Sequence, residues 1–141
     1  MLHGYWSIYA QKDEKFKEAI SETLRTLGQT DAKIIFLAGV PVHEINVPKG
    51  VALNLWKGSD YRSSLSKPED IPPGDGLGES LNVAEELGIQ ILDPKTSFLS
   101  SDGKHFDVSK NQIVLYHDSQ HLSDTGSKLM IKPLLEKSVE W

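Results

Sequence analysis

Apolar positions in this chain change their spacing several times, and each change marks an element. From Asp13 to Leu27, the residues Phe16, Ala19, Ile20, Thr23, Leu24 and Leu27 recur at helical spacing with charges opposite them. Gly28 stands where a glycine just past a helix end is expected. Lys33 to Val40 is a nearly continuous apolar run closed by Pro41, which suits a strand buried on both faces of a parallel sheet. Val42 to Gly76 shows no sustained period and holds Pro48, Pro68, Pro72 and Pro73, so it reads as a long excursion with a short helix near Val51–Trp56. Leu77 to Leu87 is helical again (Leu81, Ala84, Leu87) and ends at Gly88. Ile89 to Leu92 is a short strand that stops at Asp93-Pro94. Asp102-Gly103 predicts a tight turn within a small hairpin element between Phe98 and Val108. A strand is expected at Gln112–Tyr116 and a last helix from Leu122 to about Glu136, with Ser123 as its N-cap.

The first nine residues, Met1-Leu2-His3-Gly4-Tyr5-Trp6-Ser7-Ile8-Tyr9, begin in apolar sequence and read as the last residues of a strand entering a glycine-containing loop. Strands and helices therefore alternate, which implies an α/β fold built on a parallel sheet. The chain shows neither an internal repeat nor a low-complexity segment.

Composition adjusts this picture little. At 141 residues one domain, 1–141, is expected. The chain is 38% hydrophobic and 25% charged, as a packed core requires. Its net charge of -5 comes without a basic run, which argues against nucleic acid as a partner. No apolar run approaches a membrane span, and no signal-peptide pattern opens the chain. Cysteine is absent, so thiol chemistry is excluded.

The chemistry concentrates in Tyr116-His117-Asp118-Ser119-Gln120-His121-Leu122-Ser123-Asp124-Thr125-Gly126. Asp118 and His121 lie three residues apart at the mouth of the last helix. A carboxylate that holds an imidazole in one tautomer frees the other ring nitrogen to take a proton, which is the orienter and base of a nucleophilic hydrolase. Read by itself, the pair is more simply a histidine at a helix start with a local hydrogen-bond partner. His117 and His121 are four apart, but the segment reads as a loop and lacks the glutamate of H-E-x-x-H, so no metal site is expected. No cofactor is expected either. His3, His43 and His105 are scattered and read as surface or core residues. Tyr5, Trp6, Tyr9 and Trp56 could stack on sugar rings, though buried aromatics are the commoner case. Asp93 reads as a turn residue, and Asp13-Glu14 and Glu85-Glu86 as solvated helix faces.

The ending Asp118-Ser119-Gln120-His121-Leu122-Ser123, followed by Thr125-Gly126 and an apolar helix, resembles the last block of SGNH (GDSL-like) hydrolases. More narrowly, it is similar to the SGNH domain fused to membrane acyltransferases of acyltransferase family 3, bacterial enzymes that O-acetylate cell-surface sugars. Leu2 to Tyr9, Gly39-Val40-Pro41-Val42 and Ile91-Leu92-Asp93-Pro94 agree with that narrower match. The resemblance implies a flavodoxin-like three-layer parallel sheet. It implies Asp118 and His121 as two members of a Ser-His-Asp triad, and a glycan acceptor and an acyl donor as partners. It also implies attachment to a membrane acyltransferase domain and an extracytoplasmic setting for the membrane-attached parent.

The family's nucleophilic serine sits in a G-D-S block after the first strand, and this sequence has no such block. Gly78-Glu79-Ser80-Leu81 matches it only superficially, because Glu69 to Gly76 cannot be the buried strand that must precede a nucleophile. Ser80 is expected to be an N-cap or first-turn serine of a helix. Gly4-Tyr5-Trp6 falls where the family carries a Gly-x-Asn oxyanion block, with tryptophan in place of asparagine, so that role does not transfer. The expectation is an N-terminally truncated SGNH domain: the C-terminal part of an acyltransferase or esterase, inactive by itself. The alternative is a complete non-catalytic α/β domain that binds a glycan or another chain through Val42–Gly76 and the N-terminal aromatics.

Overall fold

A computed structural model describes residues 2–3, 13–61, 65–70 and 77–138 of the chain. They fall into two compact units, Met1–Gly39 with Pro72–Asp93, and Val40–Ile71 with Pro94–Trp141.

The first unit holds the parallel sheet. Strands β1 (Leu2–His3), β2 (Ile35–Leu37) and β3 (Gln90–Leu92) lie in that order. Phe36 is the register centre, opposite Leu2 on one side and Ile91 on the other. Ala38 carries the ladder one step further by donating its N–H to the Leu92 carbonyl at 2.9 Å. All three residues of β2 are buried, as its unbroken apolar run requires.

Helix α1 (Glu14–Gly28) starts where Asp13 accepts a hydrogen bond from the N–H of Lys15. Its apolar stripe packs with helix α3 (Glu79–Glu86) around Leu24, Phe36, Leu77, Val83, Ala84 and Ile89. Gly88 follows α3 with φ of 67°, the left-handed conformation that makes glycine a helix terminator. Gly28 serves a different purpose from the expected one. It is the last residue of α1 itself, and the cap beyond it is Gln29 in a right-handed conformation. The glycine answers to packing, since a Cβ there would lie 3.2 Å from Leu87.

The second unit gathers around Val47, Val51, Leu65, Phe98, Phe106, Val108, Leu115, Tyr116 and Met130. The excursion after Pro41 is more ordered than its lack of period suggested. Helix α2 spans Val47–Trp56, four residues earlier at its start than expected. Asn46 caps it by accepting from the Lys49 N–H at 3.2 Å, and Pro48 falls in the first turn, where a missing N–H leaves nothing unsatisfied. Short 3₁₀ helices occupy Pro68–Asp70 and Pro94–Phe98.

Asp102-Gly103 does make a turn, with Gly103 at φ 69° and Leu99 bridged to Phe106 across it. The run expected as a strand at Gln112–Tyr116 behaves differently. Its strand part is β5 (Ile113–Val114), paired antiparallel with β4 (Ser109–Lys110). Asn111 and Gln112 both take positive φ, which is the geometry of a two-residue hairpin turn.

The last helix is two helices, α4 (Asp124–Met130) and α5 (Lys132–Ser138), parted at Ile131. Pro133 is the cause, because it has no N–H to offer the carbonyl four residues back and its ring crowds that turn. Among the described residues no helix is long and apolar enough to cross a membrane.

Candidate active site

The segment from Leu115 to Gly126 is built by four local devices. Tyr116 and Leu122 bridge antiparallel across it, and the His117 N–H donates to the His121 carbonyl at 2.7 Å. These contacts close a loop on residues 118–120. Within the loop, Asp118 Oδ1 accepts two backbone N–H groups, from Gln120 and from His121, each at 2.8 Å. Ser123 then caps α4 by accepting from the Gly126 N–H at 2.9 Å, while its own hydroxyl donates to the Leu115 carbonyl at 3.1 Å. Gly126 lets the first turn of α4 lie directly on that same carbonyl, since a Cβ there would overlap the Leu115 oxygen. Ser123 thus stands in the motif as a cap and Gly126 for a close backbone approach.

With Oδ1 committed to the backbone, Oδ2 of Asp118 is left for the ring of His121, and it lies 2.7 Å from Nδ1. Those backbone donors from Gln120 and His121, joined by the His121 ring, pull the Asp118 carboxyl down to about 2. The group is therefore ionised across the neutral range and carries no proton. A contact of this length then requires the proton on Nδ1, so the neutral imidazole presents a lone pair at Nε2. The His121 side chain is 65% exposed, against 34% for Asp118, and Nε2 has no hydrogen-bond partner among the described residues. An imidazole fixed in this way can accept a proton at Nε2 and have the resulting charge balanced at Nδ1.

The loop is also held from a distance, by a segment whose part sequence reasoning missed. The Tyr116 hydroxyl, which burial keeps protonated, donates to the Pro41 carbonyl at 2.9 Å. The His43 N–H donates to the Ser119 carbonyl at 2.9 Å, and the Val47 N–H donates to the Asp118 carbonyl at 3.2 Å. The His43 ring, 3% exposed, meets the Tyr116 ring edge-on at 4.9 Å. Its Nδ1 accepts from the Ser66 N–H at 3.3 Å, and burial lowers its pKa to about 4. His43 is therefore a neutral core histidine beneath the loop. The signal that could have found it is Pro41-Val42-His43, a polar ring closing a buried strand run.

Ser80 is fully buried in the first unit. It sits in the first turn of α3, and the cap position belongs to Gly78. Its hydroxyl donates to the Lys17 carbonyl and accepts from Ser21, each at 3.0 Å, so it fastens α3 to α1. His117 is exposed, and its described hydrogen bond is made by its backbone. His105 lies between Asp102 and Asp107, at 3.8 and 3.5 Å. Trp56 is 82% exposed. Tyr5, Trp6, Tyr9 and the Gly4-Tyr5-Trp6 correspondence lie outside the described residues, as does the side chain of His3.

Compared with known proteins, residues 1–136 match the family model described as "SGNH domain (fused to AT3 domains)". No curated protein and no solved structure matches the chain.

Proposed function

This chain belongs to the family of SGNH domains fused to AT3 domains, and from that membership we propose that it supplies the base and orienter of a Ser-His-Asp O-acyltransferase or esterase acting on cell-surface glycans. The single observation that carries the reading is the 2.7 Å contact between Asp118 Oδ2 and His121 Nδ1, in a loop whose backbone holds the carboxylate ionised. Membership in the family supports an acyltransferase-type parent with a membrane acyltransferase partner domain. It also supports an α/β fold of the flavodoxin-like three-layer kind, into which the three parallel strands would fit.

In this reading Nε2 of His121 takes the proton of a serine hydroxyl as the serine oxygen bonds to the acyl carbonyl carbon. The protonated ring then gives that proton to the leaving group as the acyl–donor bond breaks, leaving an acyl-enzyme. A sugar hydroxyl or a water next yields its proton to Nε2 and takes the acyl carbon, and the serine oxygen recovers the proton. Asp118 stays ionised throughout and balances the imidazolium. Transfer and hydrolysis differ only in which acceptor reaches the acyl-enzyme. The site of action would be extracytoplasmic, where surface glycans are, with the acyl donor delivered by the membrane partner.

The serine of this scheme is not one the 141 residues provide in a G-D-S block, and Ser80 is spent on helix packing. We therefore expect no acetyl-ester turnover by this chain and no labelling by a fluorophosphonate probe. A longer form that carries a G-D-S block ahead of this sequence should label and turn over. In that form His121→Ala should abolish activity, and Asp118→Ala should reduce it by on the order of 10⁴, the penalty of a mis-set histidine tautomer in a serine protease triad. Undiminished activity in His121→Ala would overturn the assignment. Labelling of the 141-residue chain that disappears in Ser80→Ala would instead make Ser80 the nucleophile.

A further inference from the structure

Helix α2 has a face that neither its core nor the Asp118–His121 loop uses. With about 100° between successive residues of a helix, Val47 and Val51 form the inner side, both buried. The opposite side carries Lys49, Ala52, Leu53 and Trp56, all exposed, while Leu55 lies nearer the inner side, beside Val51, and is exposed there. Trp56 is 82% exposed and Leu55 64%, so large apolar side chains are directed outward at the end of the helix. Among the described α-helices α2 alone contains no Asp or Glu. Its charges are Lys49 near the start and Lys57 at the C-cap, in a chain whose net charge is -5.

An apolar ridge of Trp and Leu bracketed by lysines matches the interfacial region of a bilayer, where indole and aliphatic groups enter the acyl boundary and ammonium groups meet headgroup phosphates. A sugar would need several hydrogen-bonding groups beside the indole, whereas Ala52 and Leu53 are the neighbours of Trp56 on this face and its one lysine, Lys49, stands two turns away. We propose that the outer face of α2 docks on an anionic lipid surface. The inference is independent of the catalytic reading, because partition into lipid needs no turnover. One ridge of this size binds weakly, but fusion to a membrane partner raises the local lipid concentration it meets and makes weak contact sufficient.

The docking has a positional consequence. Val47, at the first turn of α2, donates its N–H to Asp118 in the candidate site. Trp56 is at the other end of that helix, and the rise between them is about 14 Å. A bilayer contact through Trp56 would therefore set the His121 loop within about one short helix of the headgroups, where a membrane-borne acyl donor arrives.

The test uses the 141-residue chain with Trp6→Phe and Trp141→Phe, so that Trp56 is the sole indole. It is mixed with vesicles of phosphatidylcholine alone and of phosphatidylcholine with phosphatidylglycerol, and followed by flotation and by quenching from brominated lipid. The expected result is flotation with the anionic vesicles and quenching of Trp56. Binding should weaken at least about tenfold in Lys49→Glu/Lys57→Glu, given two lost headgroup attractions. Leu53→Ser/Trp56→Ser, made in the natural background and read by flotation, should weaken it comparably. The four positions changed in the two double variants are exposed, and far-UV circular dichroism checks that every variant, the Trp6→Phe/Trp141→Phe background included, keeps its fold. Absence of flotation with anionic vesicles, equal binding to both vesicle types, or binding untouched by both double variants would overturn the proposal. So would a Trp56 signal that responds to a soluble oligosaccharide and not to lipid.

Discussion

His43 titrates against the fold. Burial lowers it from 6.5 to about 4, so between those values the unfolded chain binds a proton that the folded chain refuses. Stability should be fully present above about pH 6.5 and decline as pH falls toward 4, by up to roughly 3 kcal/mol if the whole shift is expressed. Urea unfolding between pH 7 and 4 should show the decline, and His43→Leu should flatten it while lowering stability at neutral pH through the lost Ser66 bond. Asp118 works in a lower window. Its folded value is depressed, so its contribution is present above the ordinary carboxylate range and is lost as pH falls through about 2. Gly126 sets the steric limit of the loop. Gly126→Ala should destabilise the chain by about 3 kcal/mol, since the obstacle is the backbone oxygen of Leu115 and cannot swing aside. Of these residues, the Asp118–His121 pairing was legible because both partners lie three positions apart. The Tyr116–Pro41 bond was not, because 75 positions separate its partners and no local pattern records it.

At the scale of elements, some caps were readable and distant pairings were not. Ser123 starts α4 and Gly88 ends α3 as expected, whereas Asp13, read as part of a solvated helix face, is the cap of α1, and Gly28, read as lying just past that helix, is its last residue. Asn46 was equally available as a cap but stood in a stretch without apolar period, so α2 was placed four residues late. The turn at Asn111-Gln112 escaped because only Asn is a usual left-handed residue, and Gln there is imposed by the strands on either side. Pro133 was in plain view and still divides a helix that the apolar spacing alone would continue. Two measurements follow from these ends. Ser123→Ala should cost about 1 kcal/mol in chemical unfolding, the usual value of an N-cap. Pro133→Ala should let α4 and α5 join through Ile131, giving more helical signal in far-UV circular dichroism without loss of stability.

For the molecule as a whole, the alternation of apolar runs foretold a parallel sheet, and three parallel strands are there. The division into two units was not foretold, since each unit is assembled from two separated stretches of chain that no local signal joins. The sheet has a further consequence in solution. In the order β1-β2-β3 the outer strands each pair on one side only among the described residues, and unpaired strand edges invite association. The chain should therefore self-associate at high concentration in analytical ultracentrifugation. Gln90→Lys, which puts a charge at an exposed position of β3, should shift it toward monomer. A concentration-independent monomer in both forms would show that the edge is protected.

The two oxygens of Asp118 also make shape and reactivity separable by a single atom. Oδ1 alone holds the Gln120 and His121 backbone, and Oδ2 alone faces the ring. An asparagine here can keep its carbonyl on the backbone and offer its amide N–H to Nδ1, which drives the ring proton to the outer nitrogen. Asp118→Asn should leave the loop superimposable, yet reverse the pattern of ¹⁵N shifts on the His121 ring. A relative with that replacement would pass every test of architecture while having lost its base, so inheritance of this loop and inheritance of its chemistry are distinct traits.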